Sequence, residues 1–127
     1  MHGGAVDMSR DHRKLQVFQL SDRAVEGIYR ITQGFPASER FGLQAQLRRA
    51  AVSVPCNIVE GCARRSASEY SNFLNVATGS AAEAAYLIDL ALRLGFMTTS
   101  EHLQVAESYA KIVASLKSLV RSLEHCG

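Results

Sequence analysis

Proline and cysteine are scarce in this chain of 127 residues, and tryptophan is absent. The prolines are Pro36 and Pro55, so long segments remain in which helices can form without interruption. The three cysteines are odd in number and form no C-x-x-C pair, which argues against a disulfide framework or a zinc site. No apolar run reaches the ~18 residues of a membrane span, and the N-terminus lacks a signal-peptide pattern. We therefore expect a cytoplasmic protein without a metal, another cofactor or a membrane partner.

An excess of one charge is also missing. Fourteen Lys and Arg residues face twelve Asp and Glu residues, which gives a net charge of +2. This balance permits binding to nucleic acid but does not require it. Only Lys14, Lys111 and Lys117 are lysines, so arginine predominates among the basic residues. An excess of arginine over lysine suits fixed, hydrogen-bonded pairs more than it suits a merely solvated surface.

Apolar residues recur at spacings of three and four, and no segment sustains the alternation of a β-strand. The pattern predicts four helices, at about residues 14–33, 38–65, 68–94 and 99–125. Ser38 is the expected N-cap of the second helix, and Ser66 or Ser68 that of the third. Short loops join the helices, which indicates an all-α, antiparallel up-down four-helix bundle. We assign residues 14–127 to this domain and residues 1–13 to a disordered tail.

Two features of the apolar pattern concern packing. Pro55 lies inside the second predicted helix, which is either kinked there or divided into two shorter helices near Val54; we expect the kink. The first, third and fourth helices carry a second apolar strip beside the one that a monomeric bundle needs. This predicts self-association, with a monomer whose core is well covered as the alternative.

A line of polar residues runs along the second helix, opposite its apolar face. At 100° per residue the following side chains lie within about 80° of one another: Gln46, Arg49, Ser53, Asn57, Glu60 and Arg64. Three interpretations are open. The line is a solvated face, or a structural network in which Glu83 of the third helix is a partner of Arg48 or Arg49. It is otherwise a ligand surface, where two arginine pairs, Arg48–Arg49 and Arg64–Arg65, contact phosphates.

Catalytic motifs are missing. A di-iron bundle needs E-x-x-H pairs that face the core, and none occurs. A Gly-rich phosphate loop, G-x-S-x-G and H-E-x-x-H are also missing. The four histidines lie in the tail or in the fourth predicted helix, and none joins a core stripe. The sequence therefore predicts a protein that is not an enzyme.

The segment GLQAQLRRAAVSVPCNIVEGCARRSASEY, which begins at Gly42, carries a combined motif. It resembles the bacterial proteins encoded by intervening sequences within 23S ribosomal RNA genes. The pattern G-L-x-x-Q-x-R-R-A-x-x-S-x-P-x-N-I-x-E-G is matched from Gly42 to Gly61. The later pattern F-L-x-x-A-x-G-S-x-x-E is matched from Phe73 to Glu83, and Leu94-Gly95 follows. The resemblance covers about residues 15–96.

The resemblance implies a four-helix bundle that assembles as a homopentamer and has no established enzymatic activity. It also implies a link to RNA, because a similar basic accessory protein of diversity-generating retroelements binds reverse transcriptase and nucleic acid. Thr78 departs from the pattern, since a basic residue often precedes the Gly-Ser pair there. Cys56 and Val59 replace smaller or hydroxylated residues, which changes packing.

We therefore expect an oligomeric scaffold whose partner is RNA or a protein that handles nucleic acid. The candidate phosphate contacts are Arg48, Arg49, Arg64 and Arg65. The candidate internal polar network comprises Gln46, Ser53, Asn57, Glu60 and Glu83. The alternative is an adaptor that binds only proteins, in which the second apolar strips receive a partner helix.

Overall fold

The structure, a computed structural model, describes residues 10–126. In this range the chain forms four α-helices and no β-strand, so the all-α prediction is confirmed. The helices are α1 (Gln16–Thr32), α2 (Leu43–Cys62), α3 (Ala67–Arg93) and α4 (Thr99–Cys126). Two 3-10 turns, His12–Lys14 and Ala37–Glu39, precede α1 and α2. Within the described range, no helix has the length and apolar character needed to cross a membrane.

The four helices pack in a ring around one apolar core. α2 contacts α1 and α3, and α4 contacts α3 and α1. The diagonal pairs are α1 with α3 and α2 with α4, and across residues 10–126 no Cα atom of one helix lies within 8 Å of a Cα atom of its diagonal partner. The ring is the packing of a helical bundle. α2 continues without a break through the buried Pro55, so it is one helix and not two. Fully buried side chains fill the centre, the largest being Tyr109, Ile28, Leu47, Ile58, Leu74, Ile88, Ile112 and Leu116.

The start of α2 differs from the prediction. Ser38 lies in the 3-10 turn instead of capping the helix, which begins only at Leu43. The Glu39 carboxylate performs the capping, because its Oε1 accepts a hydrogen bond from the Leu43 N–H at 2.9 Å. A Cβ atom at Gly42 would lie 2.7 Å from this same oxygen. Glycine at position 42 therefore leaves the carboxylate room to reach the helix end.

The other helix ends follow known capping patterns. Ser66, not Ser68, caps α3 by accepting from the Glu69 N–H at 3.1 Å. Gly95, at φ +79°, ends α3 with the Phe96 N–H donating to the Ala91 carbonyl at 2.9 Å. Thr98 and Glu101 form a reciprocal capping box at the start of α4, with hydrogen bonds of 3.1 and 2.9 Å. These caps fix the short connection between α3 and α4.

The folded part of the chain begins before residue 14. Residues 1–9 of the predicted tail lie outside the described residues, but residues 10–13 contact the bundle. Arg10 Nη1 donates to the backbone carbonyls of Arg64 and Ser66, at 2.6 and 3.3 Å. Its guanidinium lies 4.8 Å from the centre of the Tyr70 ring. Arg10 thereby ties the N-terminal segment to the turn between α2 and α3.

α2 and α3 lie in close contact at Gly61. A Cβ atom added there would lie 2.9 Å from the Phe73 Cβ and 3.1 Å from Tyr70 Cδ1. Real Cβ atoms do not approach other atoms so closely, and a core that is already packed responds to extra volume with strain. Gly79, in the middle of α3, is exposed and has open space around its Cα.

The two glycines should respond in opposite ways to the same added methyl group. Gly61→Ala should lower the free energy of unfolding by about 1–3 kcal/mol, because α2 and α3 must separate. Gly79→Ala should raise it by up to about 1 kcal/mol, because alanine is the better helix former. Urea unfolding followed by circular dichroism measures both. Equal effects of the two substitutions would contradict the close approach at Gly61.

Tyr109 places a hydroxyl group inside the core. The residue is fully buried, and its hydroxyl has no hydrogen-bond partner among the described residues. Burial raises the pKa of this hydroxyl, since the charged form would be desolvated. An unpaired buried polar atom destabilises a core. Tyr109→Phe should therefore leave the free energy of unfolding unchanged or raise it, whereas Tyr109→Leu, which also removes ring volume, should lower it. A clear loss in Tyr109→Phe would show that the hydroxyl has a partner.

Candidate nucleic-acid interface

A broad groove of about 1120 Å³ lies where α1 ends and α2 begins. Its walls come from the last turns of α1, the connection through the Ala37–Glu39 turn, and the first three turns of α2. Three arginines and no acidic residue line it. The lining residues are Tyr29, Gln33, Phe35, Ala37, Arg40, Phe41, Gln44, Ala45, Arg48, Arg49, Val52 and Ser53. A surface with this charge favours an anionic ligand.

Arg48 is held in place on the floor of the groove. Its Nε donates to Thr32 Oγ1 at 2.8 Å, and its Nη2 donates to the Tyr29 carbonyl at 3.2 Å. The guanidinium also lies over the Tyr29 ring, 4.3 Å from its centre. The Tyr29 carbonyl belongs to the last turn of α1, where backbone acceptors lack partners within the helix. Arg48 therefore joins the end of α1 to α2, and only part of its charge faces the groove.

Arg49 and Arg40 are less constrained than Arg48. Arg49 is exposed and has no hydrogen bond or ion pair to another described residue. Arg40 is also exposed and lies 6.0 Å from the centre of the Phe41 ring. Phe41 is 89% exposed, the highest fraction among the large apolar side chains of the described range. These side chains can meet a ligand without breaking a contact inside the bundle.

The other predicted pair, Arg64 and Arg65, lies at the opposite end of α2. Along the helix axis, Arg49 and the last residue of α2, Cys62, are about 20 Å apart. The two pairs therefore do not converge on one site. Arg64 stacks on Phe73, with 4.8 Å between the guanidinium and the ring centre, and Arg65 is exposed. Arg10 lies at the same turn, so this end carries a second basic cluster of three arginines.

Four of the five residues predicted to form a polar network lie between α2 and α3. The hydroxyl oxygens of Ser53 and Ser80 are 2.8 Å apart, and Asn57 Nδ2 donates to the Ser53 carbonyl at 2.8 Å. Gln46 Nε2 donates to Glu83 Oε2 at 3.3 Å. Ser80 was not predicted, although its place in the Gly-Ser motif is a signal. The Ser53, Asn57 and Ser80 side chains are half-buried, whereas Gln46 and Glu83 are exposed.

In the structure, Glu60 makes no contact with this group. Its side chain is exposed and has no hydrogen bond or ion pair with another described residue. Glu60 and Arg64 are four residues apart, yet they form no ion pair, because the Arg64 guanidinium lies over the Phe73 ring. Glu83 contacts Gln46 and makes no ion pair with Arg48 or Arg49. Helical spacing places the Glu60 and Arg64 side chains on the same side of the predicted helix. Which partners they have depends on the neighbouring helix and its aromatic rings.

The described residues hold no arrangement typical of catalysis. Among residues 10–124, whose side chains the structure describes, no three His, Cys, Asp or Glu side chains are grouped so that they could hold a metal ion. Burial raises the pKa of the Cys62 thiol, and burial and the neighbouring thiol raise the pKa of Tyr70 to about 12. Both groups are therefore protonated near neutral pH and are poor nucleophiles or bases.

Comparisons with known proteins concern the family and the fold of the chain. The family described as 23S rRNA-intervening sequence protein matches residues 13–118. The chain belongs to this family. The description of the family names no reaction. The groove, the polar group between α2 and α3, and both arginine pairs all lie within the matched residues.

A solved structure shows the same fold. It is a protein of unknown function from the S23 ribosomal protein family of Bacteroides thetaiotaomicron, with a TM-score of 0.77 and 23% sequence identity. The alignment covers 82% of this chain and 97% of the other. No curated protein matches the chain. At this identity the likeness establishes the arrangement of the helices alone.

The adjacent arginines Arg48 and Arg49 should differ in their effect on stability. Arg48→Ala should lower the free energy of unfolding by about 1–3 kcal/mol, because a buried hydroxyl and a helix-end carbonyl lose a charged donor. Arg48→Lys should restore only part of this, since an ammonium cannot reproduce the planar contacts. Arg49→Ala should change it by less than about 0.5 kcal/mol. Urea unfolding at one protein concentration tests the series, and equal midpoints for Arg48→Ala and Arg49→Ala would contradict the anchoring role.

Proposed function

We propose that this protein is a non-enzymatic, homo-oligomeric scaffold that associates with nucleic acid, in the first place RNA. The observation that carries the proposal is the groove lined by Arg40, Arg48 and Arg49 and by no acidic side chain. Guanidinium groups donate to phosphate oxygens in a paired geometry, which makes arginine well suited to such contacts. The family description supports a setting within ribosomal RNA genes.

Self-association supports this function because it multiplies weak contacts. A groove with three arginines binds a polyanion weakly, but several grooves on one assembly act on the same strand. Val76, Leu94 and Leu103 are each more than half exposed, although they are large and apolar. At Gly79 the surface of α3 carries no side chain, so the backbone of another chain can come close to α3 there. We expect a pentamer, as the family resemblance implies, built from up-down bundles whose α2 is bent at Pro55.

The second candidate function is an adaptor that binds proteins without contact to nucleic acid. The same exposed apolar residues favour it, because a helix of a partner could cover them. Salt separates the two functions. Binding to phosphates weakens steeply as salt rises, since counterions return to the nucleic acid. Apolar docking changes little over the same range.

The test combines size-exclusion chromatography with light scattering and a binding assay. We expect a mass that is a multiple of 13.8 kDa. Binding of a fluorescent 20-nucleotide RNA should weaken with a steep slope between 50 and 300 mM salt. Arg49→Gln should reduce that slope by about one. The double variant Arg64→Gln/Arg65→Gln should also reduce it if the second basic cluster contacts RNA.

Each result bears on a separate part of the proposal. A monomeric mass would overturn the oligomeric scaffold, whereas the absence of salt-dependent binding would overturn the association with nucleic acid and favour the adaptor. An unchanged slope in the Arg64→Gln/Arg65→Gln variant would remove that cluster from the binding surface and leave the groove as the candidate site. Glu60→Gln is the matched control, because Glu60 is exposed on α2 outside the groove.

A further inference from the structure

Phe41 occupies a place that the packing of the bundle does not explain. It lies between the Ala37–Glu39 turn and the start of α2, and 89% of its surface is exposed. Among the aromatic contacts of the described residues, it has only that with Arg40. Phe35, six residues earlier, is buried in the core and packs against Phe96 in a tilted arrangement, with the ring centres 5.7 Å apart. The connection from Phe35 to Phe41 therefore places one aromatic ring in the core and leaves the other exposed to solvent.

The backbone that carries Phe41 is firmly held. The Gly42 N–H donates to the Glu39 carbonyl at 3.1 Å, and the Arg40 N–H donates to the Ala37 carbonyl at 3.2 Å. The Glu39 carboxylate is fixed on the Leu43 N–H, so the turn is fastened to α2. An exposed ring on a fixed turn loses little freedom when a flat ligand stacks on it. The turn presents Phe41 as a ready stacking surface.

Cations and amides line the groove together with this ring. Arg40 and Arg49 are exposed, whereas the Arg48 guanidinium lies over the Tyr29 ring. Tyr29 is 40% exposed and provides a second aromatic surface in the same groove. Gln33 and Gln44 also line it, and their amides can both donate and accept hydrogen bonds. Aromatic rings, guanidinium groups and amides are the side chains that contact bases and phosphates of an unpaired strand.

We propose that the groove binds single-stranded nucleic acid, with a base stacked on Phe41 and phosphates contacted by Arg40 and Arg49. This inference rests on the proposed function and specifies its ligand. A base can stack on a side chain only when it is not stacked and paired within a duplex, so the protein should prefer single strands. Every base has a flat apolar face, and a phenyl ring reads none of its polar edges. Sequence preference at this position should therefore be weak.

The chain contains a matched control for this site. Arg93 lies 6.0 Å from the centre of the Tyr86 ring, the same separation as between Arg40 and Phe41. Tyr86 is 57% exposed, and neither residue lines the groove. The variants Phe41→Ala and Arg40→Gln are thus compared with Tyr86→Ala and Arg93→Gln. Phe41→Ala and Tyr86→Ala each remove one exposed ring, and Arg40→Gln and Arg93→Gln each remove one exposed charge. The first variant of each comparison lies in the groove, and the second lies outside it.

The experiment measures the fluorescence anisotropy of a labelled 12-nucleotide RNA of mixed sequence, alone and annealed to its complement. Phe41→Ala should weaken binding of the single strand by roughly 5- to 100-fold and leave the salt slope unchanged. Phe41→Trp should bind as tightly as the original protein or more tightly. Arg40→Gln should reduce the slope by about one. Tyr86→Ala should bind as the original protein does, and Arg93→Gln should change the slope little.

Light scattering on each variant completes the design. If the original protein binds RNA and Phe41→Ala binds it equally well, the stacking site is wrong while the proposed function stands. Equal affinity for the single strand and the duplex would overturn the strand preference. A changed mass in Phe41→Ala would assign the ring to a contact between copies and overturn the site. If the original protein binds neither RNA, the inference and the association with nucleic acid fail together, and a protein partner becomes the occupant to test.

Discussion

The close contact between α2 and α3 is the constraint on which the rest of the structure depends. Gly61 lets α2 reach Phe73 and Tyr70, and a row of fully buried alanines on α3, Ala77, Ala81, Ala84 and Ala91, leaves little side-chain volume between α3 and its neighbours. At this spacing a large polar residue cannot enter, and the seam is closed by the short contact between Ser53 and Ser80. Removing apolar surface from water drives this packing. The longer polar side chains of α2 are consequently displaced to its edges and outer face.

This displacement explains why neighbouring arginines have different roles. Arg48 is directed toward α1, where it donates hydrogen bonds to the hydroxyl of the buried Thr32 and to the carbonyl of Tyr29 at the helix end. Arg49, one residue later and turned by about 100°, meets no described partner. The same division holds at the far end of α2, where Arg64 stacks on Phe73 and Arg65 is exposed. In each basic pair, one arginine contacts another side chain, and the other has no hydrogen bond or ion pair with a described residue.

The sequence predicted much of the fold because helical periodicity and apolar spacing are local properties. Four helices follow from it, and so does the cap at Ser66, which is one of the two serines predicted for that place. The prediction failed at Ser38 because the cap is supplied by Glu39, whose reach depends on the 3-10 turn and on Gly42. It also missed Arg10, whose partners are 54 and 56 residues away along the chain.

The candidate site was less accessible to sequence reasoning than the fold. The spacing on α2 placed Ser53, Asn57 and Glu60 on one side of the helix. In the structure Asn57 contacts Ser53, whereas Glu60 is exposed. Helical spacing alone could not show this difference, because it contains no information about the neighbouring helices. Phe41 lies in a connection, where apolar periodicity carries no information. The signal for it was an aromatic residue directly after an arginine, in a segment that no core stripe includes. Its significance depends on exposure, which only the structure provides.

The small net charge of the chain does not argue against a polyanionic ligand. Charges farther apart than the Debye length of about 8 Å at physiological salt are largely screened, so a phosphate responds to local charge. Three of the acidic residues are paired away from the groove, in the contacts Arg13–Asp11, His102–Asp89 and Lys111–Glu107. The nearest acidic residue along the chain, Glu39, has its carboxylate bound to the start of α2. The groove is therefore locally basic although the chain is almost neutral, and assembly of several chains would repeat that local charge at each copy.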